Sequence, residues 1–368
     1  MEQIFFTDVV IKKVRHLKNL SIPLDKDRRK HLILTGKNGS GKTSILEAMA
    51  KYFQNMISPE KGAIDTEILL KCNSDTLLKE KYGQGNFIFA YYKSEREFQV
   101  EKYKNIEKIE LKDKYDITEN PGAKLTKYLV DLKATQAFTK NKDKFEKIEQ
   151  WFRTFENILK VIFEDDNLQL KFNEETFQFS IGASGRENFD FNTMSSGYAA
   201  ILDIISDLII RMEAKSGLRT AFDMEGVALI DEIETHLHLE LQKKILPVLT
   251  KLFPNIQFIV TTHSPFILNS VNNVVIYDLE NKTLVENGMK NLPYEGIVEG
   301  YFKADRLSEE LREKFSRYKM LVSKSELSDD EYEEIEQLEY YLDEIPDYLA
   351  KELTTEYSRL KLEFFNRG

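Results

Sequence analysis

A single run of about nineteen residues restricts the fold of this chain more than any other feature of its sequence. Leu32-Ile33-Leu34-Thr35 is apolar enough for a buried strand. Gly36-Lys37-Asn38-Gly39-Ser40-Gly41-Lys42-Thr43-Ser44 is a glycine-rich turn, and Ile45, Leu46, Met49 and Ala50 follow at helical spacing. A strand, a tight turn and a helix in that order call for α/β layering. Gly36 to Thr43 also fits G-x-x-x-x-G-K-[ST] without a gap. The spacing has a chemical reason. Glycines let the backbone N–H groups from Gly36 to Ser44 wrap phosphate oxygens, and the helix N-terminus faces their charge. Lys42 reaches the β- and γ-phosphates, and the Thr43 hydroxyl is a magnesium ligand. ATP and Mg2+ are therefore the expected cofactors.

Two more apolar runs end in groups that suit the same chemistry. Gly226-Val227-Ala228-Leu229-Ile230 reads as a buried parallel strand that exits at Asp231-Glu232. Asp231 is expected to hold magnesium through water, and Glu232 to polarise the water that attacks a terminal phosphate. Phe258-Ile259-Val260-Thr261-Thr262 exits at His263-Ser264-Pro265. There His263 can contact the terminal phosphate and register its loss; a turn histidine before a proline-started helix is the plainer alternative. Between the first run and the acidic pair, Ser195-Ser196-Gly197 forms a small polar turn. It opens a helix with apolar positions Ile201, Leu202, Ile204, Ile205 and Leu208. Free N–H groups and a hydroxyl at such a turn suit phosphate, and helix capping explains the serines equally well.

Phosphate loop, signature turn, acidic pair and histidine, in that order, resemble the ABC-type ATPase heads, including the SMC, RecF and OLD-like groups. The resemblance implies an α/β fold, a mixed sheet flanked by helices, with a helical insertion and a helical C-terminal tail. It also implies that the signature turn of one copy closes over nucleotide held by another. Ser195 and Gly197 would then act in trans, and the chain would work as a homodimer or higher oligomer. Met194-Ser195-Ser196-Gly197-Tyr198 departs from the transporter signature L-S-G-G-Q at three places, which argues against a transporter subunit. Ile233-Glu234-Thr235-His236-Leu237-His238 resembles the D-E-P-E-x-x-L-H-P stretch of OLD-like and AAA-type defence ATPases, with Ile233 and Leu239 replacing its prolines. Together the motifs look most like the PtuA-like ATPases of bacterial anti-phage Septu and retron systems. That implies a sensor or scaffold for a separate effector, a nuclease or toxin. The alternative is a RecF- or SMC-like ATP-dependent clamp on DNA. No glutamate followed by a D-x-D strand end is visible, so the chain is expected to cut nothing itself.

The motifs divide the chain into four expected segments. Residues 1–99 form an N-terminal lobe with the phosphate loop, 100–185 a mainly helical insertion, 186–290 a C-terminal lobe with the other motifs, and 291–368 an acidic helical tail suited to docking a partner. In the insertion, Phe145, Ile148, Trp151, Phe152, Phe155, Ile158 and Leu159 share one helical face and read as core rather than a base-stacking platform. The loop after Phe87–Tyr91 is where such heads carry a glutamine that senses the γ-phosphate, but Gln84 and Gln99 both fit poorly. Arg96 is read as a phosphate contact or a surface ion pair. The net charge of -10 leaves DNA or RNA open as partners only through a local patch, the best being Lys26, Arg28, Arg29, Lys30 and His31. Cys72 is the one cysteine, which excludes an internal disulfide, and His236 and His238 read as structural rather than as metal ligands. With no signal-peptide pattern and no apolar run near ~20 residues, a cytoplasmic location without membrane association is expected.

Overall fold

The computed structural model describes residues 3–57, 67–96, 107–185, 187–216, 218, 222–290, 296–297, 309–324, 326–343 and 351–366. The chain divides into two units, Met1–Tyr294 and Glu295–Gly368. The first is a mixed α/β fold. Its central sheet has six strands in the order β11-β10-β3-β9-β8-β5. These are β3 (His31–Thr35), β5 (Phe87–Tyr92), β8 (Glu225–Ile230), β9 (Ile256–Thr261), β10 (Val274–Asp278) and β11 (Thr283–Val285). All run parallel except β11, which pairs antiparallel with β10. Near-continuous burial of β3, β8, β9 and β10 explains their unbroken apolar sequences, because helices or a second sheet cover a parallel sheet on both faces.

A three-stranded antiparallel sheet, β2 (Leu17–Pro23), β1 (Phe6–Val14) and β4 (Ile68–Cys72), lies over α1 (Lys42–Ile57), and α2 (Asp75–Gly83) follows β4. The core between them and the central sheet contains Phe6, Ile11, Leu46, Phe53, Phe89 and Leu229. The β1–β2 hairpin turns at Arg15-His16, with Val14 paired to Leu17.

The segment between β5 and β8 contributes α3 (Leu125–Phe138), α4 (Lys142–Phe163), the hairpin of β6 (Gln169–Asn173) and β7 (Gln178–Gly182), and α5 (Ser196–Ser216). On α4 the expected apolar face is buried from Ile148 through Leu159, whereas Phe145, in the first turn, is 42% exposed. Trp151 is fully buried, stacks on Phe155 and donates its indole N–H to Glu213 at 2.9 Å, so it is core. The second half of the central sheet carries α6 (Leu239–Leu252) and the short α7 (Pro265–Leu268).

The basic cluster is tied into the fold. His31 is buried and accepts the Phe258 N–H on Nδ1 at 3.0 Å, Lys30 donates to the Glu286 carbonyl, and Arg28 pairs with Asp25. The second unit has helices Glu309–Val322, Asp329–Asp343 and Lys351–Phe365 around Tyr318, Leu321, Ile335, Leu342 and Tyr357. Ser328 and Glu331 exchange backbone-to-side-chain bonds in a capping box. Among the described residues, no helix is long and apolar enough to cross a membrane.

Candidate functional site

The parallel register carries the ends of β3, β9, β8 and β5 to one edge of the sheet, the edge where open α/β sheets bind their ligands. Gly36 to Gly41 leave β3 there in a tight curl. Gly41 shows why glycine is needed: its φ is +101°, and a Cβ would lie 2.8 Å from Leu17 at the hairpin tip. Lys42 is buried, and its ammonium donates to the carbonyls of Gly36 at 2.8 Å and Lys37 at 3.0 Å. Burial lowers its pKa, opposed by Glu232, Glu234, Asp231 and Asp278. Ser40 Oγ is buried and has no partner among the described residues. Lys37, Asn38 and Gly39 are exposed, with Lys37 paired to Glu280 at 2.7 Å, while Ser44 is buried at the start of α1.

Asp231 and Thr43 meet across the site. The Thr43 hydroxyl donates to Asp231 Oδ1 at 3.2 Å, and that oxygen also accepts from Thr261 Oγ1 at 2.6 Å. A hydroxyl, one carboxylate and an adjacent phosphate loop form an all-oxygen donor set, which suits magnesium because this ion takes few protein ligands and completes its shell with phosphate and water. Among the described residues, no group of three or more His, Cys, Asp or Glu could hold a metal.

Glu232 follows in a left-handed backbone, φ +44°. Its N–H donates to Thr261 Oγ1 at 2.7 Å, so one threonine hydroxyl fixes both members of the acidic pair. The His263 N–H donates to Glu234 Oε1, and Glu234 Oε2 is buried without a partner among the described residues. Burial, with Lys42 second, lowers the His263 pKa and so favours its neutral imidazole. Lys42, Thr43, Asp231, Glu232 and His263 are thus gathered at one strand-end edge.

Ser195 and Ser196 are exposed at the start of α5, while Gly197 is buried. A Cβ on Gly197 would stand 3.1 Å from the His236 carbonyl and 3.2 Å from Leu241, so the signature turn lies against the stretch that follows the acidic pair. Tyr198 stacks on Phe163 at 4.3 Å. Gln84 bonds Glu80 and Asn86 ahead of β5, at the opposite end of that strand from the site, which removes it as a water-placing residue. Gln99 lies outside the described residues.

The reading of Arg96 as a phosphate contact or surface pair is corrected. Its side chain is buried and donates to the backbone carbonyls of Asp231, Glu232 and Ile233. Thr261 and Glu234 were not singled out in the sequence. A polar residue ending the apolar run of β9 was the available signal for Thr261.

Comparison with known proteins gives the class. Residues 89–269 match the family described as "AAA domain, putative AbiEii toxin, Type IV TA system". The chain is similar to Septu PtuA proteins and to retron proteins named as probable ATPases. It is 27% identical over 92% of its length to Septu protein PtuA of Bacillus mycoides, and 37% identical over 35% of its length to "Retron Ec83 probable ATPase" of Escherichia coli. It spans half of the former protein and a quarter of the latter. An SMC head bound to the C-winged helix domain of ScpA aligns over 78% of this chain and 100% of that one, with 13% identity and a TM-score of 0.45.

Proposed function

We propose that this chain binds and hydrolyses ATP with magnesium, closes as a head-to-head dimer, and acts as sensor and scaffold for a separate effector, a nuclease or toxin, in bacterial anti-phage defence. The observation that carries the ATPase part is the gathering of Lys42, Thr43, Asp231, Glu232 and His263 at one strand-end edge. In this reading the loop N–H groups from Gly36 to Ser44 hold the phosphates, and Lys42 turns from its loop carbonyls to the β- and γ-phosphates. Thr43 and Asp231 hold magnesium, which when bound offsets charge on the phosphates. Glu232 accepts the proton of the attacking water, and His263 responds to γ-phosphate loss.

The exposure of Ser195 supports its action on the nucleotide of a second copy, with Gly197 setting the turn from below. The four segments 1–99, 100–185, 186–290 and 291–368 supply, in this scheme, the loop lobe, insertion, signature lobe and docking tail. The effector role rests on similarity to Septu and retron ATPases, of which this chain spans only part.

A second reading, an ATP-dependent DNA clamp, is favoured by 33% identity to RecF of Rickettsia canadensis over 24% of the chain. The internal bonds of the Lys26–His31 cluster count against it.

The test compares wild type, Glu232→Gln and Ser195→Arg for ATP turnover and for mass by light scattering. The proposal expects Glu232→Gln to trap an ATP-dependent dimer and Ser195→Arg to lose both dimer and turnover. An ATP-independent dimer with full turnover in Ser195→Arg would refute the shared site. Co-purification of wild type with its neighbouring gene products then decides between effector and DNA.

A further inference from the structure

Arg96 leaves the end of β5 and turns inward, 6% exposed, to meet the end of β8. Its Nη1 donates to the Asp231 carbonyl at 2.8 Å and to the Lys93 carbonyl at 3.1 Å, and its Nη2 donates to the carbonyls of Glu232 at 2.9 Å and Ile233 at 3.4 Å. Three successive carbonyls can converge on one planar guanidinium only if the backbone between them curls. The left-handed φ of Glu232 provides that curl, in a region that residues with a side chain seldom adopt. From the opposite side, Thr261 Oγ1 accepts the Glu232 N–H. Glu232 is therefore held at its carbonyl by Arg96 and at its N–H by Thr261, and its carboxylate accepts a long bond from the Thr235 hydroxyl at 3.5 Å.

We infer that Arg96 is a positioning residue for hydrolysis, holding the left-handed backbone of Glu232 by collecting the carbonyls of Asp231, Glu232 and Ile233 on one guanidinium. The inference rests on the reading of Glu232 as the group that directs water. Arginine suits this task because its fork presents several fixed donors at once, whereas a lysine ammonium is a compact point charge on a flexible stem. Burial pulls the guanidinium pKa down, and Asp203, Glu234, Asp231 and Glu232 oppose that. The cation therefore sits where β5, the acidic end of β8 and the helix beginning at the signature turn approach one another. Without it, three carbonyls lose their common donor, and the left-handed backbone of Glu232 keeps only weaker local ties, the Thr261 bond to its N–H and the Thr235 N–H on its carbonyl at 2.9 Å, against relaxation to an ordinary right-handed backbone that would swing its carboxylate away.

The test uses full-length wild type, Glu232→Gln, Arg96→Lys and Arg96→Gly. Affinity is read with a fluorescent ATP analogue and turnover with Mg-ATP, each with and without millimolar guanidinium chloride. Arg96→Gly should keep ATP affinity within about threefold and lose about 10²-fold in turnover, as expected when a reacting group is displaced by about 1 Å. Guanidinium should restore turnover to Arg96→Gly and none to Glu232→Gln, and Arg96→Lys should fall between wild type and Arg96→Gly. Arg96→Gly turnover near that of wild type, with Glu232→Gln inactive, overturns the inference and leaves the Glu232 reading intact. Joint loss of affinity and turnover that guanidinium does not rescue assigns Arg96 to folding alone and also overturns it. If Arg96→Gly is insoluble, Arg96→Lys decides, since reduced turnover at unchanged affinity supports the inference and unchanged turnover refutes it. Full turnover in Glu232→Gln removes the underlying reading and the inference with it.

Discussion

Thr261→Val removes one oxygen while nearly preserving side-chain shape, and two interactions depend on that oxygen. It donates to Asp231 Oδ1 at 2.6 Å and accepts the Glu232 N–H at 2.7 Å, with Thr261 itself fully buried. Loss of a hydrogen bond to a charged partner costs about 1.5–3 kcal/mol, and a buried N–H left unpaired costs about 1–3 kcal/mol. The Glu232 N–H is only part-buried, so water recovers some of the second cost and a destabilisation of about 3 kcal/mol is expected. Trp151 is the single tryptophan, is fully buried and belongs to the same unit as Thr261. Urea titration followed by its fluorescence therefore reports unfolding of that unit. Turnover should fall more than ATP affinity, because the loop and Lys42 are untouched. A loss below about 0.5 kcal/mol, the range of an ordinary surface substitution, together with unchanged turnover would show that Thr261 does not fix the acidic pair.

Lys42→Ala should abolish binding of a fluorescent ATP analogue without altering the urea midpoint much; retained binding would place the nucleotide elsewhere. His31 is held neutral, its pKa pushed by burial, with help from Arg29, down to about 3. Its unfolded value is near 6.5, so the unfolded chain binds the proton that the fold refuses. Stability should fall as pH drops from about 6.5 toward 3, by up to ~1.4 kcal/mol per unit. Urea titrations of wild type and His31→Asn across that window should show a shallower slope in the variant, and parallel slopes would refute the assignment. Gly197→Val crowds the His236 carbonyl and Leu241, and should cost about 1–3 kcal/mol by the same fluorescence titration.

What could be read from the sequence divides along a physical line. Strands β3, β8 and β9 were legible because burial on both faces leaves an unbroken apolar run, and each run stops where the proposed chemistry begins, at Gly36, Asp231 and His263. Their arrival at one edge follows from parallel pairing. Burial of charge was not legible. Arg96 stands among Lys93, Glu95 and other polar neighbours, and only the tertiary fold shows that three carbonyls at the end of β8 provide its partners. The same limit applies to Lys26 through His31. Linear charge reads as a patch, but Arg28 pairs with Asp25, Lys30 donates to the Glu286 carbonyl and His31 is a buried neutral ring that accepts the Phe258 N–H, the last two partners more than two hundred residues away.

The helix that begins at the signature turn packs through buried apolar residues such as Leu202, Ile205 and Leu208 and is also tied to its unit by buried polar contacts, and the latter bear on how closure would be transmitted. Along α5, Asp207 accepts from Tyr92 Oη at 2.6 Å and from Arg211 Nε at 2.7 Å, and Arg211 Nη1 reaches the carbonyls of Phe89 and Asp116 at 3.1 Å. Asp203 accepts from Asn120 at 2.8 Å, and Glu213 accepts from Tyr128 and Trp151. Burial raises the Asp203 pKa to about 6. Buried ion pairs add little net stability, but losing one partner costs about 3–5 kcal/mol, so such a lattice tolerates few rearrangements. Apolar surfaces can slide by a fraction of a turn; directional bonds in a closed interior cannot. Tyr92 ends β5, and Arg96 follows it by four residues. In the proposed closure, a force on Ser195 therefore reaches the backbone of Glu232 through α5, Tyr92 and Arg96 as one body, with the buried bonds setting the register between signature turn and acidic pair.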